Sequence, residues 1–133
     1  MRRFMLAMMV TTLMPSMALA QARPPLGQVA QVTEPLITAA MAYEISRVCG
    51  AVNIRLLRGI GYLNGIKSTA RGLGYSSVEI DSFVDDRTQK RNLEDVARGR
   101  LRDLGAIDGQ PETFCAVGRS QIAAGSQIGR LLH

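Results

Sequence analysis

Cys49 and Cys115 are the two cysteines of this 133-residue chain. Whether they pair decides how freely the helices between them can be arranged. Pairing needs an oxidising compartment, and the first twenty residues point to one. Arg2 and Arg3 form a positive start, the run from Phe4 to Met17 is apolar apart from Thr11, Thr12, Pro15 and Ser16, and Ala18-Leu19-Ala20 supplies small residues at a cleavage position. This pattern predicts a signal peptide over 1–20, cut after Ala20 and leaving the mature chain in the periplasm. A membrane anchor is the rival, but an apolar run of about fourteen residues is shorter than the ~20 that cross a bilayer. Nothing later in the chain is long and apolar enough to span, so no transmembrane anchor is expected. The twin-arginine reading lacks the polar residue that normally precedes the pair.

In that compartment a Cys49–Cys115 disulfide is the expectation. On the chain-entropy model, closing so long a loop contributes about 4 kcal/mol, a large share of a small domain's margin. A redox pair would favour C-x-x-C spacing, and a metal site wants more ligands than two thiols and His133.

Loss of Arg2 and Arg3 with the signal lowers the 16 basic residues to 14 against 11 acidic ones, a net charge of +3. With no tryptophan and charges of both signs spread along the chain, nothing resembles the basic stripe of a nucleic-acid binder. The remaining length is one domain's worth.

Residues 21–32, with Arg23-Pro24-Pro25 and Gly27, read as an extended arm, and 33–133 as a single helical domain. Thr33 as cap, Glu34 and Pro35 begin a first helix whose Ile37, Met41, Ile45 and Val48 recur at helical spacing, with Leu36 and Ala40 beside them; it ends at Cys49-Gly50. A second helix is expected from Asn53 to Leu73, with Ile54, Leu57, Ile60, Leu63 or Asn64, Ala70 and Leu73 inward. Gly59, Gly61, Gly65 and Gly72 each weaken it by up to ~1 kcal/mol, which suggests close backbone contact with a neighbour. Gly74-Tyr75-Ser76-Ser77-Val78-Glu79-Ile80 predicts a sharp corner: a glycine stop, a Ser76/Glu79 capping box and a Tyr75 staple onto Ile80. A third helix over 77–86 turns Ile80, Phe83 and Val84 inward. A fourth over 88–104 uses Leu93, Val96, Ala97, Leu101 and Leu104, and the two are either separate or one kinked helix. Pro111 opens the last helix, with Phe114, Cys115, Val117 or Gly118, Ile122, Ile128, Leu131 and Leu132 as core and Gly125 as a break point. Its Gly125-Ser126-Gln127-Ile128-Gly129 spacing makes it a candidate neighbour of the second helix. The fold class is all-α: a bundle of four to five helices stapled by one disulfide.

Catalytic chemistry is poorly provided for. The one histidine is the last residue, His133, expected to be mobile and unpartnered, so Ser-His-Asp and Cys-His sites lack a base. Asp85-Asp86 and Glu94-Asp95 are adjacent pairs that point apart on a helix, and solvated surface is the plainer reading than metal binding or a two-carboxylate glycosidase. Gly59-Ile60-Gly61 has no strand before it and is no dinucleotide motif. No cofactor or metal ligand set is assigned. Two surfaces remain. Arg87, Lys90, Arg91, Arg98, Arg100 and Arg102 crowd the fourth helix, either as an anion patch or, with Glu94, Asp95 and Asp103 among them, as a salt-laced face. Arg119, Gln121, Ser126, Gln127 and Arg130 stand among small residues, either as a partner surface or beside packing contacts.

The Arg-Pro-Pro arm, the first helix ending at Cys49-Gly50, the Leu73-Gly74-Tyr75-Ser76 corner with Glu79-Ile80, Phe114-Cys115-Ala116-Val117-Gly118-Arg119, and the closing Gly125-Ser126-Gln127-Ile128-Gly129-Arg130-Leu131-Leu132 together resemble small exported alphaproteobacterial proteins grouped as a domain of unknown function. The resemblance spans the mature chain and implies place and architecture, with no activity attached. The function expected is non-catalytic: a periplasmic binding or accessory protein for an envelope protein or peptidoglycan. The alternatives are a small carboxylate- or metal-dependent enzyme, and a binder of anionic lipid or peptidoglycan through helix 88–104.

Overall fold

The computed structural model describes residues 22–133; the expected signal segment lies outside them. The described residues form six α-helices and no strand: α1 (Ala30–Val48), α2 (Leu56–Gly72), α3 (Ser77–Asp85), α4 (Arg87–Asp103), α5 (Pro111–Ala124) and the one-turn α6 (Gln127–Arg130). The sixth is the piece beyond Gly125, where a positive φ of 63° ends α5, and Ser126 caps α6 by accepting from the Gly129 N–H at 3.0 Å.

α1 is the axis of the molecule. Helices α2, α4, α5 and α6 all pack on it, and it buries Val32, Ile37, Met41, Ala42, Glu44 and Ile45, so residues are covered on more than one side, as in a central helix. The main core joins Ile37, Met41 and Ile45 to Ala97 and Leu101 of α4, Phe114 and Val117 of α5, and Leu131 and Leu132. The Cys49–Cys115 disulfide lies at its edge, with the two Cα atoms 5.2 Å apart. A second cluster holds Leu26, Val29 and Val32 against Ile66, Ala70, Tyr75 and Ile80.

That second cluster explains why the N-terminal arm is shorter than expected. Residues 22–25 and Val29 lack regular structure; Leu26–Gln28 make a 3-10 turn and α1 starts at Ala30. Fully burying an aliphatic side chain contributes about 1.5–3 kcal/mol, so Leu26, Val29 and Val32 favour starting the helix early. The early start leaves Pro35 inside α1. A proline there removes the hydrogen bond to the carbonyl four residues back, which belongs to the exposed Gln31, where water can replace it. Thr33 is therefore not a cap; its hydroxyl donates back to Val29 O.

The corner forms as the sequence predicts. Gly74 has φ +92°, Ser76 and Glu79 complete the capping box, and Tyr75 packs with Ile80. Arg23 of the arm sits 5.1 Å from the Tyr75 ring centroid, and the Tyr75 hydroxyl donates to Pro24 O. Residues 77–104 are two helices rather than one kinked helix, because Asp86 turns its carboxylate onto the Thr88 and Gln89 N–H groups, each at 2.8 Å.

Other expectations fail. α2 matches the anticipated face only in part: Ala70 is buried as expected, together with Ile66, while Leu57 is 85% exposed and Ile60, Leu63 and Leu73 are exposed as well. The helix carries two apolar stripes, so the period alone does not choose between them. Its glycines meet no backbone, since a Cβ at Gly61, Gly65 or Gly72 would have nothing within 4 Å. In α3 and α4, Val84, Val96 and Leu104 are likewise exposed. His133, expected to be loose, exchanges backbone hydrogen bonds with Asn53 at 2.8 and 2.9 Å, and Arg55 Nε donates to Leu132 O at 2.9 Å. The C-terminus is thus pinned beside the start of α2.

Candidate functional site

α2 and α4 both lie along α1, and their facing sides stand apart across a groove of about 520 Å³. The floor is Leu36, Ala39, Ala40 and Tyr43 of α1; one wall is Leu56, Gly59, Ile60, Tyr62 and Leu63 of α2; the other is Phe83 and Val84 of α3 with Leu93 of α4. The alanines make the groove deep because they rise little above the α1 backbone, and Gly59 thins the wall beside them. Leu56, 69% exposed, and the exposed Tyr43, Ile60 and Val84 leave a continuous apolar surface open to water. Isolated exposed apolar residues are ordinary, whereas a contiguous concave set of them is where ligands and partners bind.

The lining has few charges. Lys90 and Glu94 stand one turn apart on the α4 wall, so together they add no net charge. At Tyr62 and Leu131 the groove meets a second hollow of about 460 Å³, lined by Arg58, Tyr62, Gln127, Arg130 and Leu131. Arg58 is steered to this mouth by its Nη1, which donates to Arg130 O at 3.1 Å. Burial raises the pKa of the Tyr62 hydroxyl, with the Thr38 hydroxyl opposing that shift, so it stays protonated near neutral pH and can donate a hydrogen bond.

The polar residues singled out in the C-terminal segment divide. Gln127 and Arg130 line the mouth. Ser126 is occupied in capping α6, its hydroxyl also donating to the Gln121 carbonyl at 3.3 Å, and Arg119 is exposed on α5 outside both hollows. Arg58 belongs with the first pair, but its place in the sequence marks it only as an outward-facing basic residue on α2.

The arginine cluster of α4 is largely tied to carboxylates. Arg98 donates to Asp95 at 2.6 Å and lies 3.6 Å from Glu44; the Asp95 hydrogen bond raises its pKa most, burial opposes, and the charge of Glu44 adds to the rise. Arg100 grips Glu34 through two bonds of 2.7 and 2.9 Å, which holds the Glu34 carboxyl below the usual range. Arg102 faces Asp108 at 3.6 Å. Arg87, Lys90 and Arg91 remain outside these pairs, all three exposed, with Lys90 lining the groove. Glu44 itself, 4% exposed, is clamped between Arg47 at 2.6 Å and Arg98. A carboxylate on the Ile37-Met41-Val48 stripe was the sequence signal for this buried ion cluster, since a charge there needs partners.

Of the acidic pairs, Asp86 caps α4, Asp95 holds Arg98 and Glu94 borders the groove. Among the described residues, no three His, Cys, Asp or Glu side chains are grouped to hold a metal ion, and no helix is long and apolar enough to cross a membrane.

No curated protein matches the chain, and no solved structure does. The model of a family of unknown function, DUF5333, matches residues 24–133. This stretch holds most of the Arg-Pro-Pro arm, both cysteines, the capped corner and both halves of the groove and mouth, and the chain belongs to that family of unknown function.

Proposed function

We propose that the chain is a non-catalytic binding protein, exported by residues 1–20 and acting in the periplasm on a component of the cell envelope, with the groove between α2 and α4 as its binding surface. The observation that carries this reading is the apolar groove itself. Leaving Leu56, Ile60, Leu63 and Tyr43 in water forgoes stabilisation of roughly 25 cal/mol for each Å² of apolar surface, and an occupant would recover it. The arginine-rich face of α4 is a weaker basis for binding, because Arg98, Arg100 and Arg102 each face a carboxylate. A disulfide-stapled fold with no membrane-spanning helix among its described residues suits an exported protein.

The test is titration with N-phenyl-1-naphthylamine, an uncharged dye that brightens in apolar surroundings. Saturable binding is expected, and Ala40→Phe, which fills the floor, should abolish it while leaving the melting transition cooperative. Leu57→Ser, outside the groove, should leave it unchanged. A folded protein that fails to bind the dye, or binds it equally well after Ala40→Phe, would remove the groove as the binding surface. Fractionation of cells making the full chain checks the export: the processed chain should appear with periplasmic proteins.

A further inference from the structure

We propose that the groove receives a single-chain anionic amphiphile, its hydrocarbon chain lying between α2 and α4 and its carboxylate or phosphate head held at the mouth by Arg58 and Arg130. The inference rests on the groove being a binding surface and adds the class of ligand and the place of its head.

The polarity of the lining changes in one place. Along the walls and floor the side chains are aliphatic or aromatic, with Lys90 and Glu94 offsetting each other. At Tyr62 and Leu131, shared by both hollows, the surface becomes cationic and hydrogen-bonding through Arg58, Gln127 and Arg130, with no carboxylate in the lining. An apolar trough ending in two arginines matches a molecule with a hydrocarbon body and one anionic end. Guanidinium groups bind carboxylates and phosphates through paired, charge-assisted hydrogen bonds. Among the described residues, one donor of Arg58 is engaged, by Arg130 O, out of the five a guanidinium carries. Among the described residues, Arg130 itself makes no ion pair. The Tyr62 side chain, common to both hollows, stands where body and head would join.

Size favours a thin chain over a docked helix. A helix is about 10–12 Å across with its side chains and rises 5.4 Å per turn, so one turn already has the volume of the whole groove.

The experiment is calorimetric titration of the mature, oxidised protein with dodecanoate, dodecyl phosphate and dodecanol, each below the concentration at which it aggregates. Dodecanoate or dodecyl phosphate should bind one to one, and the tighter of the two identifies the head as carboxylate or phosphate. Dodecanol should bind on the order of tenfold more weakly or worse, the loss expected for charge-assisted hydrogen bonds. Arg58→Gln with Arg130→Gln should bring both anions down to the level of dodecanol, while Arg87→Gln with Arg91→Gln on the exposed face of α4 changes nothing. If the Arg58/Arg130 pair variant fails to fold, Gln127→Glu, which sets a carboxylate in the mouth, should weaken the anions and spare dodecanol. Equal binding of dodecanol and the anions, or anion binding indifferent to both mouth variants, overturns the head site and leaves the groove standing. Binding of the uncharged dye without binding of any dodecyl compound overturns the ligand class and points to a protein segment instead. Failure of the dye as well sinks the groove reading on which the inference rests.

Discussion

α5 and α2 lie on the same central helix, both carry glycine, and they use it in opposite ways. A Cβ at Gly118 of α5 would stand 2.7 Å from Ile45 Cγ2 and 3.3 Å from Val52 Cγ1, so glycine there is what lets α5 close onto α1 beside the Cys49–Cys115 bond. A Cβ at Gly61 or Gly65 of α2 would meet nothing within 4 Å. On one side the missing side chain marks contact; on the other it marks open space. α5 belongs to a closed core, and α2 is the wall of a groove with less intrinsic helix stability.

Removing the staple should act first on the closed side. The double variant Cys49→Ser/Cys115→Ser is expected to lose about 4 kcal/mol on the chain-entropy model, read as a lower denaturant midpoint that reductant no longer shifts. Hydrogen exchange should place the largest loss of amide protection in α5 and α6. Loss that begins in α2 would mean the two sides are one cooperative unit and that the comparison is superficial.

Smaller but on the same side, Gly118→Ala forces Ile45 or the α5 backbone to move and should cost about 1–3 kcal/mol, the usual range for overpacking. Gly129→Ala belongs with it, because its Cβ would run into the Gln121 carbonyl oxygen, a backbone atom with little room to yield. Thermal melts of the two variants against wild type measure both effects.

The same division separates the parts of the fold that local pattern reveals from those it hides. The corner at Gly74–Glu79 was legible because its signals are local: a glycine stop, a serine cap and a glutamate three residues on act within one turn. The disulfide was legible from the cysteine count and from the oxidising compartment that the N-terminal pattern leads one to expect. α5 was legible in Phe114 and Val117, since its one apolar stripe had one place to go. α2 was legible only at Ala70, because Leu57 and Ile60 on one side and Ile66 on another fit the same helical period. The choice between them depends on where Leu26, Val29, Val32 and the Tyr75–Ile80 corner lie, a long-range fact the local pattern does not hold. The groove was missed for that reason, and Arg58 with it, since the backbone pairing of Asn53 with His133 that brings the chain end to α2 has no sequence signature.

The open side makes a prediction of opposite sign. Gly61→Ala and Gly65→Ala should each stabilise the protein, by up to ~1 kcal/mol, through helix propensity alone, because the added methyl group meets no neighbour. Denaturant midpoints should rise for these variants and fall for Gly118→Ala. A fall for Gly61→Ala or Gly65→Ala would show that this face of α2, which does not line the groove, is packed in solution.

The smallest effect separates the two sides by pH. The α2–α3 corner is held partly by charge: Glu79 Oε2 accepts from the Ser76 N–H at 2.7 Å and lies 3.8 Å from Arg23. The Ser76 N–H lowers the Glu79 carboxyl most, the Ser76 hydroxyl adds to this, slight burial opposes it, and Arg23 contributes last. A carboxyl lowered by folding contributes stability that is present above the ordinary carboxylate range, about pH 4.3, and is lost as pH falls through the lowered value. The contribution is small, since the group is exposed. Glu34, lowered chiefly by its hydrogen bonds to Arg100, has the same sign between α1 and α4. On the closed side the disulfide and the Gly118 contact involve no titrating group. Amide resonances of Ser76 and Glu79 should therefore move as the pH falls below the ordinary carboxylate range while those of Val117 and Gly118 stay fixed, and Glu79→Gln should remove the movement at the corner. Acid changes appearing first around Gly118 would reverse the assignment, making the α5 side the electrostatically held one.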